Sequence, residues 1–285
     1  MESGVHEEQK GWCLQVINAA VLGSPIAHSL SPLIHSLAYE HLGLVARYEA
    51  IEVKAGGLES FMTQTDKNCL SLTMPLKEEA MKVADVISDV AAQISCGNTL
   101  SLDKGVWSLT STDVSGFDYT LQMHGLEKVD SVLIIGAGAT ARAAVSSVSQ
   151  LAKSVSVISR NPEREAAMNQ ASLVDVTFLP WELTSLINTA TLVINTTPNK
   201  AADFFTSSIN SPSGTFFEVL YDPWPTSISK VWSKSSGHVI DGLDLLIHQA
   251  ISQIEIFAGL RCDREILFAK MREAAVKKVG LIHRP

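Results

Sequence analysis

The feature that most restricts the fold of this chain is a glycine-containing loop between an apolar strand and a helix. The segment 131–135 is apolar and strand-like, and 139–151 is rich in small residues at helical spacing. Between them, Gly136-Ala137-Gly138-Ala139-Thr140-Ala141 fits the pattern G-x-G-x-x-A. Gly136 permits the tight turn, Gly138 lets a pyrophosphate approach the backbone, and the amino end of the helix offers free N–H groups. Because strand and helix both flank the motif, we favour a dinucleotide site over an ordinary tight turn.

Two arginines follow the next predicted strand, where a dinucleotide-binding unit contacts the ribose of its cofactor. The strand ends at Ser159-Arg160, Arg164 comes four residues later, and no acidic residue lies between 154 and 162. An NAD site usually has Asp or Glu here, whereas a guanidinium can bind a 2′-phosphate through two hydrogen bonds. The pattern therefore favours NADP, although solvated charges at a helix start remain the alternative.

Composition and charge exclude several classes of protein. The chain has 285 residues and a formal net charge of −8, which argues against a general nucleic-acid binder because such proteins need a basic face. No apolar run reaches the roughly 18 residues of a membrane span, and the polar start Met1–Gly11 shows no secretory signal. The four cysteines are scattered singly, so we expect a cytoplasmic protein with no metal site.

Alternating strand-like and helical patterns predict a parallel α/β fold along most of the chain. Strands are predicted at 14–22, 48–53, 69–73, 131–135, 154–158, 192–195 and 215–221. Helices are predicted at 31–41, 58–65, 77–87, 139–151, 243–258 and 263–279. A hairpin is expected around Asp103-Lys104, and Ser115-Gly116 is expected to be a break before a further helix.

Polar residues lie in the first half of the chain where a buried sheet does not favour them. They include Ser29, Ser31, Ser71, Thr73, Lys77, Asn98 and Asp113. Taken singly, each has a simple structural explanation. Ser31 can cap a helix, and Lys77 can be a surface lysine. Asn98 can be a turn residue, and Asp113 can be an acid at a helix start.

Taken together, these segments resemble the shikimate dehydrogenase family. Residues 23–32 resemble its G-x-P-x-x-H-S-x-S-P opening, 72–77 its V-T-x-P-x-K segment, and 112–116 its T-D-x-x-G segment. Residues 193–198 resemble its I-N-T-T-P strand end, 221–223 its Y-x-P, and 242–249 its G-x-x-x-L-x-x-Q element. The resemblance covers about residues 14–260.

The resemblance implies an α/β fold of two domains. Residues 12–114 would form a substrate-binding catalytic domain completed by 243–285, whose helices pack back on it. Residues 115–242 would form a Rossmann-type NADP-binding domain. The implied activity is reversible NADPH-dependent reduction of 3-dehydroshikimate to shikimate, in aromatic amino acid biosynthesis, by a monomer or a homodimer.

The resemblance also implies roles for individual residues. Lys77 and Asp113 would be the catalytic pair, with the carrier of the proton left open. The implied substrate-binding residues are Ser29, Ser31, Ser71, Thr73, Asn98, Tyr221 and Gln249. The implied cofactor-binding residues are Gly136, Ala137, Gly138, Ala139, Thr140, Ser159, Arg160, Arg164, Asn195, Thr196, Thr197 and Gly242.

The chain also departs from the pattern of the family. Ser71 and Ser111 stand where Asn is usual, 95–99 reads S-C-G-N-T in place of G-A-x-N-T, and 199–201 reads N-K-A in place of x-G-M. Two other functions stay open. One is a quinate/shikimate dehydrogenase with relaxed cofactor use, that is, one using NAD or either cofactor. Arg160 disfavours a preference for NAD. The other is a non-catalytic metabolite-binding protein on the same scaffold, which the presence of both Lys77 and Asp113 disfavours.

The arginine at the strand end generates the first testable prediction. Arg160→Ala should weaken NADP binding about tenfold to a hundredfold and change NAD binding little, because a charge-assisted hydrogen bond to the 2′-phosphate is lost. Dissociation constants for both cofactors, measured on the purified variant and on the wild type, check this. An unchanged ratio of the two affinities would show that Arg160 does not bind the phosphate.

Overall fold

The computed structural model describes residues 16–235 and 237–280. The predicted domain limits at residues 12 and 285, and the first residues of the predicted strand 14–22, lie outside this part of the chain. Within it, the chain forms two six-stranded sheets that are flanked by helices. Among the same residues we find no helix with the length and hydropathy of a membrane span.

The first sheet is mixed. Its strands are β1 (Ile17–Gly23), β2 (Ala46–Glu52), β3 (Cys69–Leu72), β4 (Val86–Ile87), β5 (Thr99–Asp103) and β6 (Val106–Thr110). Their order across the sheet is β2-β1-β3-β5-β6-β4. β1 is parallel to β2 and β3, whereas β5 is antiparallel to β3 and β6. The predicted hairpin is present, and its turn residues Lys104 and Gly105 both have positive φ, as a tight hairpin turn requires.

The second sheet is entirely parallel. Its strands are β7 (Val129–Ile135), β8 (Ala152–Ser159), β9 (Val176–Pro180), β10 (Leu192–Asn195), β11 (Thr215–Glu218) and β12 (Val239–Ile240). Their order is β12-β11-β10-β7-β8-β9, so the direction of winding reverses between β7 and β10. Ligands of such sheets bind at the carboxyl ends of the strands beside this reversal. The predicted Rossmann-type architecture is confirmed.

The carboxy-terminal helices pack on the first sheet, as predicted. The helices of the chain are α1 (Ser31–His41), α2 (Leu58–Gln64), α3 (Asp89–Ile94), α4 (Asp113–Met123), α5 (Ala139–Val148), α6 (Glu165–Ala171), α7 (Leu186–Thr189), α8 (Ser227–Lys234), α9 (Gly242–Ala258) and α10 (Arg264–Val279). Leu243, Ile247 and Ile251 of α9 lie in one apolar core with Ile17 of β1 and Met271 of α10. The hydrophobic effect therefore returns the end of the chain from the second sheet to the first.

Two local predictions are wrong. The predicted helix 77–87 is only a short 3₁₀ turn at Glu79–Lys82, followed by β4. The β-branched pair Val86-Ile87 favours a strand, which pairs with β6 at the sheet edge. The predicted break at Ser115-Gly116 lies inside α4. Gly116 serves helix packing instead, because a Cβ there would lie 3.0 Å from side-chain atoms of α9.

Gly242 generates a prediction about stability. A Cβ at this position would lie 2.0 Å from the Val219 carbonyl oxygen, whereas a Cβ at Gly138 would meet no atom within 4 Å. Gly242→Ala should therefore lower the free energy of unfolding by at least about 1–3 kcal/mol, because backbone must move to remove the clash. Gly138→Ala is the matched control and should change it by less than about 1 kcal/mol. Denaturant unfolding of both variants checks this, and equal stabilities would contradict it.

Candidate active site

A cavity of about 350 Å³ lies between the two sheets. The loops that follow β1, β3 and β11 line it, together with one face of α9. Every residue predicted to be catalytic or to bind substrate lies on its wall, namely Lys77, Asp113, Ser29, Ser31, Ser71, Thr73, Asn98, Tyr221 and Gln249. Two predicted cofactor residues, Thr140 and Gly242, line it as well. The fold thus gathers these side chains around one space, and their chemical roles remain predictions.

Lys77 and Asp113 form an ion pair in the cavity wall, with Nζ 2.5 Å from Oδ2. Their side chains are only 14% and 8% exposed, so salt screens the pair weakly. Asp113 is the first residue of α4, where the helix dipole favours a carboxylate. Lys77 follows β3 and is held by its backbone carbonyl, which accepts from the Gly97 N–H at 3.0 Å. Lys77 is therefore not a freely solvated lysine.

The buried amide of Asn98 orients the carboxylate of this pair. Its Nδ2 donates to Asp113 Oδ1 at 2.9 Å and to Gln249 Oε1 at 3.2 Å. Its Oδ1 accepts from the Thr112 backbone N–H at 2.8 Å, and because a backbone N–H can only donate, this contact fixes the orientation of the amide. Asn98 is therefore more than a turn residue. It joins the start of β5 to α4 and α9.

The serines of the opening motif, Ser29 and Ser31, also line the cavity. The N-cap of α1 is Leu30, and Ser31 makes no capping hydrogen bond, so its explanation as a helix cap is wrong. The Ser31 backbone N–H instead donates to Ser29 Oγ at 3.3 Å. Because Ser29 accepts in this contact, its own hydroxyl proton can be donated to an anion.

The sequence did not single out two residues that act on the cavity wall, Tyr48 and Gln253. The Tyr48 hydroxyl donates to Ser71 Oγ at 2.7 Å, and Ser71 donates to Gln253 Oε1 at 2.8 Å. Gln253 lies four residues after Gln249 on α9 and lines the cavity with it. That i, i+4 spacing on one helix face was the available signal, whereas no sequence signal places Tyr48 beside Ser71.

The glycine loop lies at the carboxyl end of β7, where the winding of the second sheet reverses. Gly136 has a φ of +109°, and a Cβ there would lie 2.5 Å from Thr196 Oγ1 in the loop after β10. Gly138 is the N-cap of α5 and faces open space. A phosphate can therefore approach the N–H groups at the start of α5, which is how such loops bind dinucleotides.

The two arginines predicted to bind the 2′-phosphate are not held alike. The Arg160 guanidinium is exposed, lies 4.5 Å over the Trp181 ring and donates to the Ala201 carbonyl at 3.0 Å. Arg164 instead donates to Glu78 Oε1 at 2.8 Å, across the gap between the sheets. Burial raises the pKa of Glu78, but Arg142 and Arg164 outweigh it and hold that pKa below its ordinary value. Of these two arginines, Arg164 has a carboxylate partner and Arg160 has none among the ion pairs of the described residues.

Two buried residues, Asn195 and Glu218, hold the loop after β10 from the interior of the protein. Asn195 Nδ2 donates to both carboxylate oxygens of Glu218 at 3.0 Å, and its Oδ1 accepts from the Thr197 hydroxyl at 2.7 Å. Asn195 and Glu218 are 3% and 0% exposed. Burial raises the pKa of Glu218 to about 7, although hydrogen bonds from Asn195 and Thr226 oppose the shift. Asn195 therefore shapes this loop from the interior.

Known proteins with similar sequences cover most of the chain. A family model described as the shikimate dehydrogenase substrate binding domain matches residues 21–100. The shikimate dehydrogenase (NADP(+)) of Prochlorococcus marinus (strain MIT 9215) is 34% identical over 262 residues, which are 84% of this chain and 91% of that protein. The chain belongs to the shikimate dehydrogenase family.

Solved structures of shikimate dehydrogenases share this fold. The enzyme of Mycobacterium tuberculosis superposes with a TM-score of 0.81 at 31% identity, covering 90% of this chain and 99% of that one. The enzyme of Thermus thermophilus, solved in complex with NADP(H) and shikimate, has a TM-score of 0.78 at 28% identity, with coverages of 90% and 99%. The two-domain architecture expected for the family is therefore present along nearly all of the described chain.

Two departures from the pattern of shikimate dehydrogenases lie at special backbone positions. Ser95 and Lys200 stand where the pattern has glycine, and both have positive φ, of 51° and 66°. Non-glycine residues adopt this left-handed conformation rarely. The side chains differ from the pattern of the family, whereas the backbone retains the conformation that glycine favours.

Glu218 generates a prediction about pH. Its pKa is about 7 in the folded chain against an ordinary value of 4.5, so the folded state binds the proton more tightly than the unfolded state. The stabilisation of the folded state that results is fully present below about pH 4.5 and is lost as the pH rises through 7. The free energy of unfolding of Glu218→Gln minus that of the wild type should therefore be larger at pH 8 than at pH 5. The expected increase is on the order of 1–3 kcal/mol.

Urea unfolding of the wild type and Glu218→Gln at both pH values measures this difference. Glu163→Gln makes the same change at an exposed position and is the control, against which the pH dependence of Glu218→Gln is compared. A pH-independent difference for Glu218→Gln would mean that the carboxyl group titrates as it does in the unfolded chain.

Proposed function

We propose that this chain catalyses the reversible NADPH-dependent reduction of 3-dehydroshikimate to shikimate. The observation that carries the proposal is the shielded Lys77–Asp113 pair, which lies in a cavity lined by hydroxyl and amide groups and bordered by the glycine loop through Thr140. This arrangement suits a small polyhydroxylated ketone that accepts a hydride and a proton. Membership of the shikimate dehydrogenase family supports the same substrate.

The polar groups that line the cavity suit the two ends of such a substrate. Ser29, Ser31 and Tyr221 carry hydroxyl groups that can donate to a carboxylate. Thr73, Asn98, Asp113 and Gln249 also line the cavity and can bind ring oxygens. A wall of hydroxyls and amides rejects analogues that lack a matching oxygen, because its own buried groups would be left unpaired.

Lys77 and Asp113 would act on the oxygen of the reacting carbon. The Lys77 ammonium can stabilise negative charge that develops on the ketone oxygen, and Nζ can give that oxygen a proton. Asp113 holds the ammonium in place and can accept from a neighbouring hydroxyl group of the substrate. In the oxidation of shikimate the pair receives the proton instead. Because the two groups are in direct contact, we assign the proton to the pair and not to either residue.

The residues around the glycine loop fit NADP. The open space at Gly138 and the start of α5 suit the pyrophosphate, and Arg160 supplies a cation for the 2′-phosphate. When bound, NADPH supplies the hydride that reduces the ketone carbon. Thr140 lines the substrate cavity, so this loop joins the cofactor site to the substrate site.

The domain assignment is part of the proposal. Residues 12–114 with 243–285 would form the substrate-binding domain, and 115–242 the NADP-binding domain. The separate sheets support this division. The boundary at residue 114 falls in the first turn of α4, which packs against both α5 and α9. We therefore regard α4 as the helix that the two domains share.

An absorbance assay of NADP reduction by the purified protein tests the proposal. We expect turnover with shikimate and NADP, slower turnover when NAD replaces NADP, and slower turnover with quinate. Faster turnover with quinate would identify a quinate dehydrogenase. Tight shikimate binding without any NADP reduction would identify a metabolite-binding protein on this scaffold.

The ion pair generates a prediction about turnover. Lys77→Ala should lower kcat at least about a hundredfold, the lower end of an acid–base contribution, while shikimate still binds through the other polar side chains. Asp113→Asn should also lower kcat, because the charge that orients Lys77 is lost. The double variant should lose little more than the worse single variant, since the two residues act as a unit. Losses that multiply independently would contradict the assignment of the pair.

A further inference from the structure

A chain of buried hydrogen bonds runs behind Ser71 on the cavity wall. The Tyr48 hydroxyl lies 2.7 Å from Ser71 Oγ, and Ser71 Oγ lies 2.8 Å from Gln253 Oε1. The Gln253 amide nitrogen lies 3.0 Å from both the Asn98 backbone carbonyl and Thr99 Oγ1. Each of these residues is less than 8% exposed, so water does not replace these partners.

One acceptor, the Asn98 backbone carbonyl, fixes the direction of every hydrogen bond in this series. The Asn98 backbone carbonyl can only accept, so the nitrogen of the Gln253 amide must face it. The amide oxygen of Gln253 therefore faces Ser71 and must receive the Ser71 proton. With its only proton used, Ser71 has to accept from Tyr48. Thr99 supports this orientation independently, because its own proton goes to Asn98 Oδ1 at 2.7 Å and it can only accept from Gln253.

These directions restrict what Ser71 can offer to a ligand. A hydroxyl group has one proton and two lone pairs. Gln253 takes the proton of Ser71 and Tyr48 takes one lone pair, which leaves one lone pair to face the cavity. Ser71 is thus an acceptor-only contact, whereas the Lys77 ammonium, which lines the same cavity, is a donor-only contact.

We infer that Gln253 is a specificity-determining residue, because it forces the bound ring to present a hydroxyl proton to Ser71. This inference rests on the proposed function. A carbonyl oxygen, an ether or a fluorine at that ring position would place its lone pairs against the lone pair of Ser71. Shikimate and 3-dehydroshikimate differ at one ring oxygen, so the group at Ser71 must be a hydroxyl that both possess. The reacting oxygen is thereby directed away from Ser71 and can face Lys77.

Binding of fluorinated shikimates tests this inference. We would measure dissociation constants, by calorimetry, for shikimate and for its analogues in which each ring hydroxyl in turn is replaced by fluorine, which cannot donate. For the wild type, one analogue should bind at least about tenfold more weakly than shikimate through the mismatch at Ser71, since an unpaired buried acceptor remains. Gln253→Met, of similar length, frees the Ser71 proton and should reduce that gap to less than about threefold by strengthening the analogue.

Tyr48→Phe is the matched control. It removes the other hydrogen bond to Ser71 but leaves the proton on Gln253, so the gap should persist. Ser71→Ala removes the acceptor itself. It should also reduce the difference in affinity between shikimate and the analogue, but by weakening the binding of shikimate. Gln64→Met, at an exposed position on α2, should change neither affinity.

The outcomes separate this inference from the proposed function. If the wild type neither binds shikimate nor reduces NADP with it, the proposed function fails and the inference fails with it. If the wild type does both but Gln253→Met keeps the full gap, or Tyr48→Phe closes it as Gln253→Met does, only the inference is overturned. Should Gln253→Met not fold, a wild-type gap that Ser71→Ala leaves unchanged would overturn the inference as well.

Discussion

The buried side chain of Asn98 is the contact on which the active-site geometry depends. Its amide joins the start of β5 to Asp113 on α4 and to Gln249 on α9. Because a buried amide left unpaired costs about 1–3 kcal/mol, these elements are stable together only in the arrangement that satisfies it. The same arrangement places Asp113 beside Lys77 and Gln253 beside Ser71. One satisfied polar network therefore fixes both the Lys77–Asp113 pair and the directions of the hydrogen bonds at Ser71.

The parts of this protein that could be predicted from its sequence are those encoded locally. The glycine loop, the strand at Leu192–Asn195 and the helix at Ser31–His41 follow from short patterns, and the structure has them at the predicted residues. The predicted helix 77–87 is wrong because pairing of Val86-Ile87 with β6 overrides a helical period. The contact of Tyr48 with Ser71 joins strands that are distant in sequence, and no local pattern reports such a contact.

At Ser95 the side chain departs from the pattern of the family, whereas the backbone keeps the conformation that glycine favours. Ser95 ends α3 in the left-handed conformation, and its N–H donates to carbonyls of that helix. A residue other than glycine costs on the order of 1–3 kcal/mol in this conformation. The Ser95 side chain offsets part of this cost, since its Oγ accepts from Gln170 of α6 at 3.2 Å. A position that glycine usually occupies thus supplies a hydrogen bond between the two halves of the molecule.

Glu78 extends the connection between the two halves of the molecule to Lys77. It follows Lys77 directly in the chain, and its Oε1 accepts from both Arg142 and Arg164 at 2.8 Å. The pair with Arg164 is half-exposed and worth less than about 1 kcal/mol. Arg142 is only 1% exposed and is also held by the Ile94 carbonyl at 2.6 Å, so separating it from Glu78 would leave a buried charge unpaired. Any movement that opens the cavity on this side must break that contact or carry Lys77 with it. The position of Lys77 is therefore tied to the sheet that carries the glycine loop.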